Sequence, residues 1–160
     1  MAQNHQEIER KFLVRKDLWY AIHKPEGEIL QQGYLVSEHE KTVRVRVSPS
    51  SGFLTIKGPS ENATRDEYEY IIPREDACEL LNKFVSNRID KVRYTILANK
   101  KTWEIDEFFG ANEGLIIAEI ELEDPGESFE KPSWIGEEVT HDHRYSNSWL
   151  AEHPFSEWEV

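Results

Sequence analysis

The chain has 160 residues, the size of one domain, with 38% apolar and 31% charged residues, so an apolar core under a thin polar skin is not expected. Its net charge of -12 excludes a general nucleic-acid binder, whose phosphate contacts need a positive footprint, but leaves room for a local basic pocket. Five Trp, six Tyr and seven Phe are too many for a disordered acidic chain, and no apolar run is long enough to span a membrane.

From the N-terminus, Met1 to Glu7 lack the basic and apolar regions of a secretory signal. Cys78 is the single cysteine, so no internal disulfide can form, and a reducing cytoplasm is the expected compartment. Period-two alternation predicts strands over 6–14, 30–37, 41–48, 53–58, 65–72, 90–98, 102–109 and 115–123. Pro49-Ser50-Ser51-Gly52 reads as a hairpin turn. A short helix capped by Asp17 is expected over 17–23. A firmer one over 74–86 follows Pro73, with Glu75 and Asp76 in its first turn and Ala77, Leu80, Leu81, Phe84 and Val85 on one face. A last helix starts near Tyr145 and carries Trp149 and Leu150.

Successive strand side chains point to opposite faces, and here one face is charged strand after strand. Glu7, Glu9 and Lys11 oppose Ile8, Arg10 and Phe12; Arg44 and Arg46 oppose Val43, Val45 and Val47; Lys57 opposes Ile56. Arg65, Glu67 and Glu69 oppose Tyr68 and Tyr70; Lys91 and Arg93 oppose Val92 and Tyr94. Glu104 and Asp106 oppose Trp103 and Ile105, and Glu119, Glu121 and Glu123 oppose Ala118, Ile120 and Leu122. An ordinary antiparallel sheet with one wet face gives such alternation too. However, Glu-x-Glu recurs on these faces (Glu7 and Glu9, Glu67 and Glu69, Glu119 and Glu121, Glu121 and Glu123) and Arg-x-Arg occurs once, and like charges two apart repel unless opposite charge lies between them. A closed eight-stranded barrel with its charges inward and helices outside accounts for the whole set. Arginine forks and lysines match phosphate oxygens, and clustered carboxylates match a hard divalent cation such as Mg²⁺ or Mn²⁺.

Glu7-Ile8-Glu9-Arg10-Lys11 resembles the Glu-x-Glu-x-Lys signature of the CYTH superfamily, the triphosphate tunnel metalloenzymes. Similar motifs follow in order: Gln32-Gly33-Tyr34-Leu35, Thr42 to Arg46, Leu54 to Gly58, Glu67 to Tyr70, Lys91 to Tyr94, Trp103 to Phe108 and Ala118 to Leu122. Trp134 to Thr140 and Arg144-Tyr145-Ser146-Asn147 resemble the C-terminal part of small bacterial members. The loop Pro59 to Thr64 departs from the family in lacking glycines.

The resemblance implies an α+β fold dominated by a closed eight-stranded antiparallel tunnel spanning 1–160, requiring Mg²⁺ or Mn²⁺, and most like the inorganic triphosphatase branch. It implies Glu7, Glu9, Glu119 and Glu121 as metal ligands. Lys11, Arg44, Arg46, Lys57 and Arg93 would hold phosphates, with Lys91 beside the scissile bond. Arg65 joins the phosphate set by its place on the charged face, and Tyr34 is open between core and substrate contact. Glu69 or Asp106 is a candidate to orient the attacking water. The expected partner is a small-molecule triphosphate, with no nucleic acid or membrane, for a monomer or homodimer. Thiamine triphosphate hydrolysis, ATP cyclisation and non-catalytic polyphosphate sensing remain the alternatives. His141-Asp142-His143 reads as a solvated or capping segment, Cys78 as a small buried side chain, and Trp134 and Trp149 as packing residues.

Overall fold

The computed structural model describes residues 4–159. The elements in chain order are β1 (Gln6–Val14), α1 (Lys16–Ala21), β2 (Glu28–Ser37), β3 (Thr42–Val47), β4 (Gly52–Lys57), β5 (Thr64–Ile72), α2 (Arg74–Phe84), β6 (Ile89–Ala98), β7 (Lys101–Phe108), β8 (Ile116–Glu121), β9 (Ile135–Glu138) and α3 (Asn147–Glu152). All eight expected strands form, with their ends moved by one or two residues. β9 was not expected; four residues are too few for a periodic signal.

The antiparallel order β5-β4-β3-β2-β6-β7-β8-β1 closes on itself where β1 pairs back with β5, Glu7 facing Arg65. β1 therefore serves three partners. One edge carries β8 (Glu9↔Glu121, Lys11↔Glu119), while the other carries β5 at its start and β9 at its end. The Arg10 guanidinium grips the Glu138 carboxylate with both nitrogens (2.7 and 2.5 Å), which ties β9 to the barrel.

The alternation is resolved as inversion: polar lumen, apolar exterior. Outside, Phe12, Trp19, Trp103 and Trp134 are buried in one cluster under α1 and the segment before β9. Their rings meet edge-on, at 5.3 Å for Trp19–Trp134 and 5.7 Å for Phe12–Trp103, the geometry aromatic quadrupoles favour. The Trp19 indole N–H donates to Glu107 at 2.6 Å, so its burial leaves no polar atom stranded. A second cover is α2, whose Ala77 and Leu81 pack on Val45 and Val47. That approach is close: a Cβ at Gly33 would collide with Val85, and one at Gly52 with Ala77. Ile56, Tyr68 and Tyr70 remain exposed, beyond the start of β4 that α2 covers.

Inside, one end of the barrel is stopped by apolar side chains. Ile89, Phe108 and Ile117 meet Leu150 of α3, which is wholly buried. The last helix is thus a plug, beginning two residues later than expected, after a short 3-10 turn over His143–Tyr145. Asp142 caps that turn by accepting from the Arg144 N–H, in line with the capping role expected of its segment. Trp134 is buried, and Trp149 stacks on His153. Cys78 is only half-buried, because it lies toward the edge of the α2 stripe. The loop without glycines adopts left-handed backbone at Asn62 and Ala63 (φ 50° and 66°), conformations glycine would take with less strain. Among the described residues, no helix is long and apolar enough to cross a membrane.

Candidate active site in the barrel lumen

Two connected chambers occupy the lumen. The inner one is narrow and lined by seven cations (Lys11, Arg44, Arg46, Lys57, Arg65, Lys91 and Arg93) against two carboxylates, Glu9 and Glu119. Tyr34 lines it as well, so its ring faces the lumen rather than the outer core. The outer chamber, about 350 Å³, shares Glu9, Lys11 and Arg65, adds Glu7, and is rimmed by the loops around His39, Ser60 and His141. In a chain of net charge -12, this surplus of positive charge is a purpose-built anion site.

Strand register explains each placement. Arg44 faces Thr55 across β3–β4 and Tyr34 across β2–β3, while Arg46 faces Gln32. Arg93 sits opposite Asp106, and Lys11 opposite Glu119. The deepest cluster is Lys91, Arg93 and Asp106. Lys91 Nζ lies 2.7 Å from Asp106 Oδ2, and Arg93 donates to both Asp106 oxygens at 2.8 and 2.9 Å. Lys91 and Asp106 are each 1% exposed. Burial pulls the Lys91 ammonium down to about 7; Asp106 opposes this, while Arg93 and Arg46 add to it. Burial alone would raise Asp106, yet the Arg93 and Lys91 charges and hydrogen bonds overrule it and hold the carboxyl far below its usual range. Both Asp106 oxygens are spent on cations.

Other cations keep free donors. Arg46 uses only Nε, on Gln32 at 2.8 Å, and burial with the Arg44 and Arg93 charges lowers it to about 9, so it is still cationic at neutral pH. Arg44 reaches Thr55 and Glu69 through Nη2 at 3.2 and 3.4 Å, but its buried Nε has no partner. Lys11 Nζ approaches Glu119 and Glu9 no closer than 3.7 and 3.9 Å. A buried donor left unmade is costly, so these groups are poised for an acceptor that the protein does not supply.

The carboxylates divide into two kinds. Glu7 is paired, with Lys57 at 2.9 Å and Arg65 at 3.7 Å. Burial acts to raise it, but the hydrogen bond with Glu67 and the two cations win and hold it low. Glu67 is pushed up to about 7 by burial and by Glu7, and it pairs with Lys57 at 3.0 Å. Glu9 is the opposite: burial, then Glu119, then Glu7 raise it well above the usual range. Glu121, across from Glu9 on β8, lies at the exposed rim and is raised by burial, Glu7 and Glu104. Unneutralised carboxylates facing one another are the oxygen donors a hard divalent cation prefers. Among the described residues, no three His, Cys, Asp or Glu side chains form a ready-made cage. The set instead suits a cation held by one or two carboxylates and completed by substrate oxygens, the usual habit of Mg²⁺.

Glu69 stands outside both chambers, where it accepts from the Thr55 hydroxyl at 2.9 Å and from Arg44. The charge pattern passed over Gln32, Thr55 and Asn147. Gln32 and Thr55 share the lumen-facing parity of Tyr34 and Lys57, so alternation alone could have found them. Asn147 arrives on α3, and no strand pattern points to it.

The chain is similar to proteins already described. An inorganic triphosphatase of Acetivibrio thermocellus is 47% identical over 154 residues, 96% of this chain and 97% of that protein. One from Nitrosomonas europaea is 36% identical, covering 91% of this chain and 96% of that protein. The crystal structure of an inorganic triphosphatase superposes with a TM-score of 0.63 at 33% identity, over 94% of this chain and 95% of that one. A Pyrococcus horikoshii protein, 22% identical over 74% of this chain and 80% of that one, shares the fold with a TM-score of 0.55. The model of the CYTH domain matches residues 5–148, a span that takes in both walls of the charged lumen and the first two residues of its plug: the chain belongs to the CYTH family.

Proposed function

We propose that this protein hydrolyses a linear triphosphate, inorganic triphosphate first, with a divalent metal. The observation that carries the reading is the inner chamber, where seven cations face two carboxylates and a buried Arg44 N–H has no partner. The relatives named inorganic triphosphatase point to the same substrate. The substrate threads from the inner chamber into the outer one, taking the free donors of Lys11, Arg44 and Arg46. Lys91 is the catalytic cation, meeting charge that develops on the attacked phosphate. Asp106, with both oxygens engaged, holds Lys91 and Arg93 as their counter-ion, and Glu69 steadies Arg44 through Thr55. Glu9 and Glu119, assisted by Glu7 and Glu121, are the residues that would hold Mg²⁺ or Mn²⁺. When bound, that ion neutralises phosphate charge and acts as a Lewis acid. The single thiol, Cys78, supports a place in a reducing cytoplasm.

Phosphate release from tripolyphosphate, thiamine triphosphate, ATP and pyrophosphate, each with Mg²⁺ or Mn²⁺, tests this. Tripolyphosphate should be cleaved fastest, with no cyclic AMP formed from ATP. Tight tripolyphosphate binding without release from any of the four would instead identify a sensor. Arg44→Ala and Arg46→Ala are expected to raise KM by roughly tenfold or more each, the scale of a lost hydrogen bond between charged groups, with smaller changes in kcat. Unchanged KM in both would remove them from the phosphate site.

A further inference from the structure

Arg46 and Lys91 are joined by two uncharged side chains. Arg46 Nε donates to Gln32 Oε1 at 2.8 Å, and Gln32 Nε2 donates to Asn147 Oδ1 at 3.1 Å. Lys91 Nζ donates to the same Oδ1 at 3.0 Å. The direction of this chain is dictated by its ends. A guanidinium and an ammonium have no acceptor, so each must face an oxygen, and the amide orientations follow without choice. Gln32 is wholly buried. Only a side chain that accepts at one end and donates at the other can occupy its place.

We propose that Gln32 and Asn147 form a directed amide relay, anchored on the plug helix α3, that positions the phosphate-holding Arg46 and the catalytic Lys91 relative to each other. The inference rests on the triphosphatase reading of the lumen. Three physical points carry it. Lys91 and Arg46 repel, and both are starved of water; neutral acceptors fix them without cancelling the charge the substrate needs. Asp106 already draws Lys91 toward β7 at 2.7 Å, and Asn147 supplies the opposing pull from α3. Finally, Leu150, one helical turn beyond Asn147, is sealed into the apolar stopper, so the relay has a rigid foundation. Both are positioning residues, acting through the cations they hold.

Steady-state kinetics and tripolyphosphate calorimetry in EDTA, on the full chain, test the relay. Asn147→Leu removes the shared acceptor while keeping the branched skeleton and the number of heavy atoms. It should lower kcat about tenfold, the scale of a hydrogen bond to a charged group, and weaken tripolyphosphate binding severalfold. Gln32→Glu keeps the acceptor for Arg46 but presents a second acceptor to Asn147; turning that amide to donate takes the oxygen from Lys91, so kcat should fall similarly. The effects are serial, so the double variant should be no worse than the poorer single within about twofold, against multiplication for independent sites. In a Lys91→Ala background, Asn147→Leu should leave the residual kcat unchanged, an outcome no packing role predicts. Wild-type kcat and KM in both single variants, or multiplicative losses in the double, overturn the relay. If wild-type protein binds tripolyphosphate without cleaving it, the parent reading fails; the relay then stands or falls on whether Asn147→Leu weakens that binding.

Discussion

Lys91→Ala is expected to lower kcat by roughly 10²–10³, the loss seen when one preorganised transition-state donor is removed, with a lesser change in KM. Lys91 is the most deeply buried cation of the lumen, at 1% exposed, and Asp106, Arg93 and Asn147 leave it a single stance. An ammonium so fixed interacts most strongly where charge grows during the reaction, and such a contact lowers kcat and kcat/KM together when lost. Arg93→Ala should fall more heavily on KM, because Arg93 is a fork shared with Asp106 and Glu104. A second signature follows from protonation. Burial pulls Lys91 down to about 7 in the free protein, and a bound polyanion favours its charged form. Tripolyphosphate binding at pH 8 should therefore draw protons onto Lys91, offset by those the ligand itself releases, and the balance is read in calorimetry across buffers of different ionisation enthalpy. Lys91→Ala should shift the net count toward release relative to wild type. A variant with wild-type kcat and a raised KM would make Lys91 a phosphate clamp and nothing more.

The parts of this site that could be read from the chain are those encoded by period two. Alternation put Glu9, Lys11, Arg44, Arg46, Lys57 and Arg93 on one face of their strands, and closure of the barrel turned that face inward. Parity says nothing about partners across the lumen, however. That Glu7 is neutralised by Lys57 while Glu9 is left beside Glu119 depends on the β1–β5 and β1–β8 registers together. The same parity that makes Lys91 inward also makes Leu97 inward, yet Leu97 is 75% exposed at the barrel's end; strand length, not pattern, decides where the lumen stops. Gln32, Thr55 and Asn147 were passed over because a search for charge misses the neutral groups that orient charge. β9 was hardest of all. Its four residues carry too few periods for a local signal, and it is held by pairing with the distant β1.

Glu9→Gln should make the metal-free protein more stable and a worse enzyme. Glu9 is raised well above its ordinary range by burial, Glu119 and Glu7, so its ionised form is penalised in the fold. The penalty is full above the raised folded value and vanishes as pH falls to the unfolded value near 4.5. Neutralising the side chain in EDTA at pH 8 should thus stabilise by about 1 kcal/mol, or a few degrees in Tm for a chain of this size, and the gain should shrink toward pH 5. Glu119 has the opposite sign. Burial raises it, but Lys11, Arg93 and Lys91 outweigh burial and leave it lowered, so its stabilisation is present above 4.5 and lost as pH falls through the folded value. Glu119→Gln should therefore destabilise at pH 8. On metal the two should agree. Wild-type activity should disappear after chelation and return with Mg²⁺ or Mn²⁺, and each variant should need about tenfold more metal for half-maximal rate, as weakened metal sites do. Opposite shifts in stability with a common shift in metal demand is a pattern a structural carboxylate pair cannot give. Full activity in EDTA after bound metal is stripped, or an unchanged metal dependence in both variants, would take Glu9 and Glu119 out of the metal site.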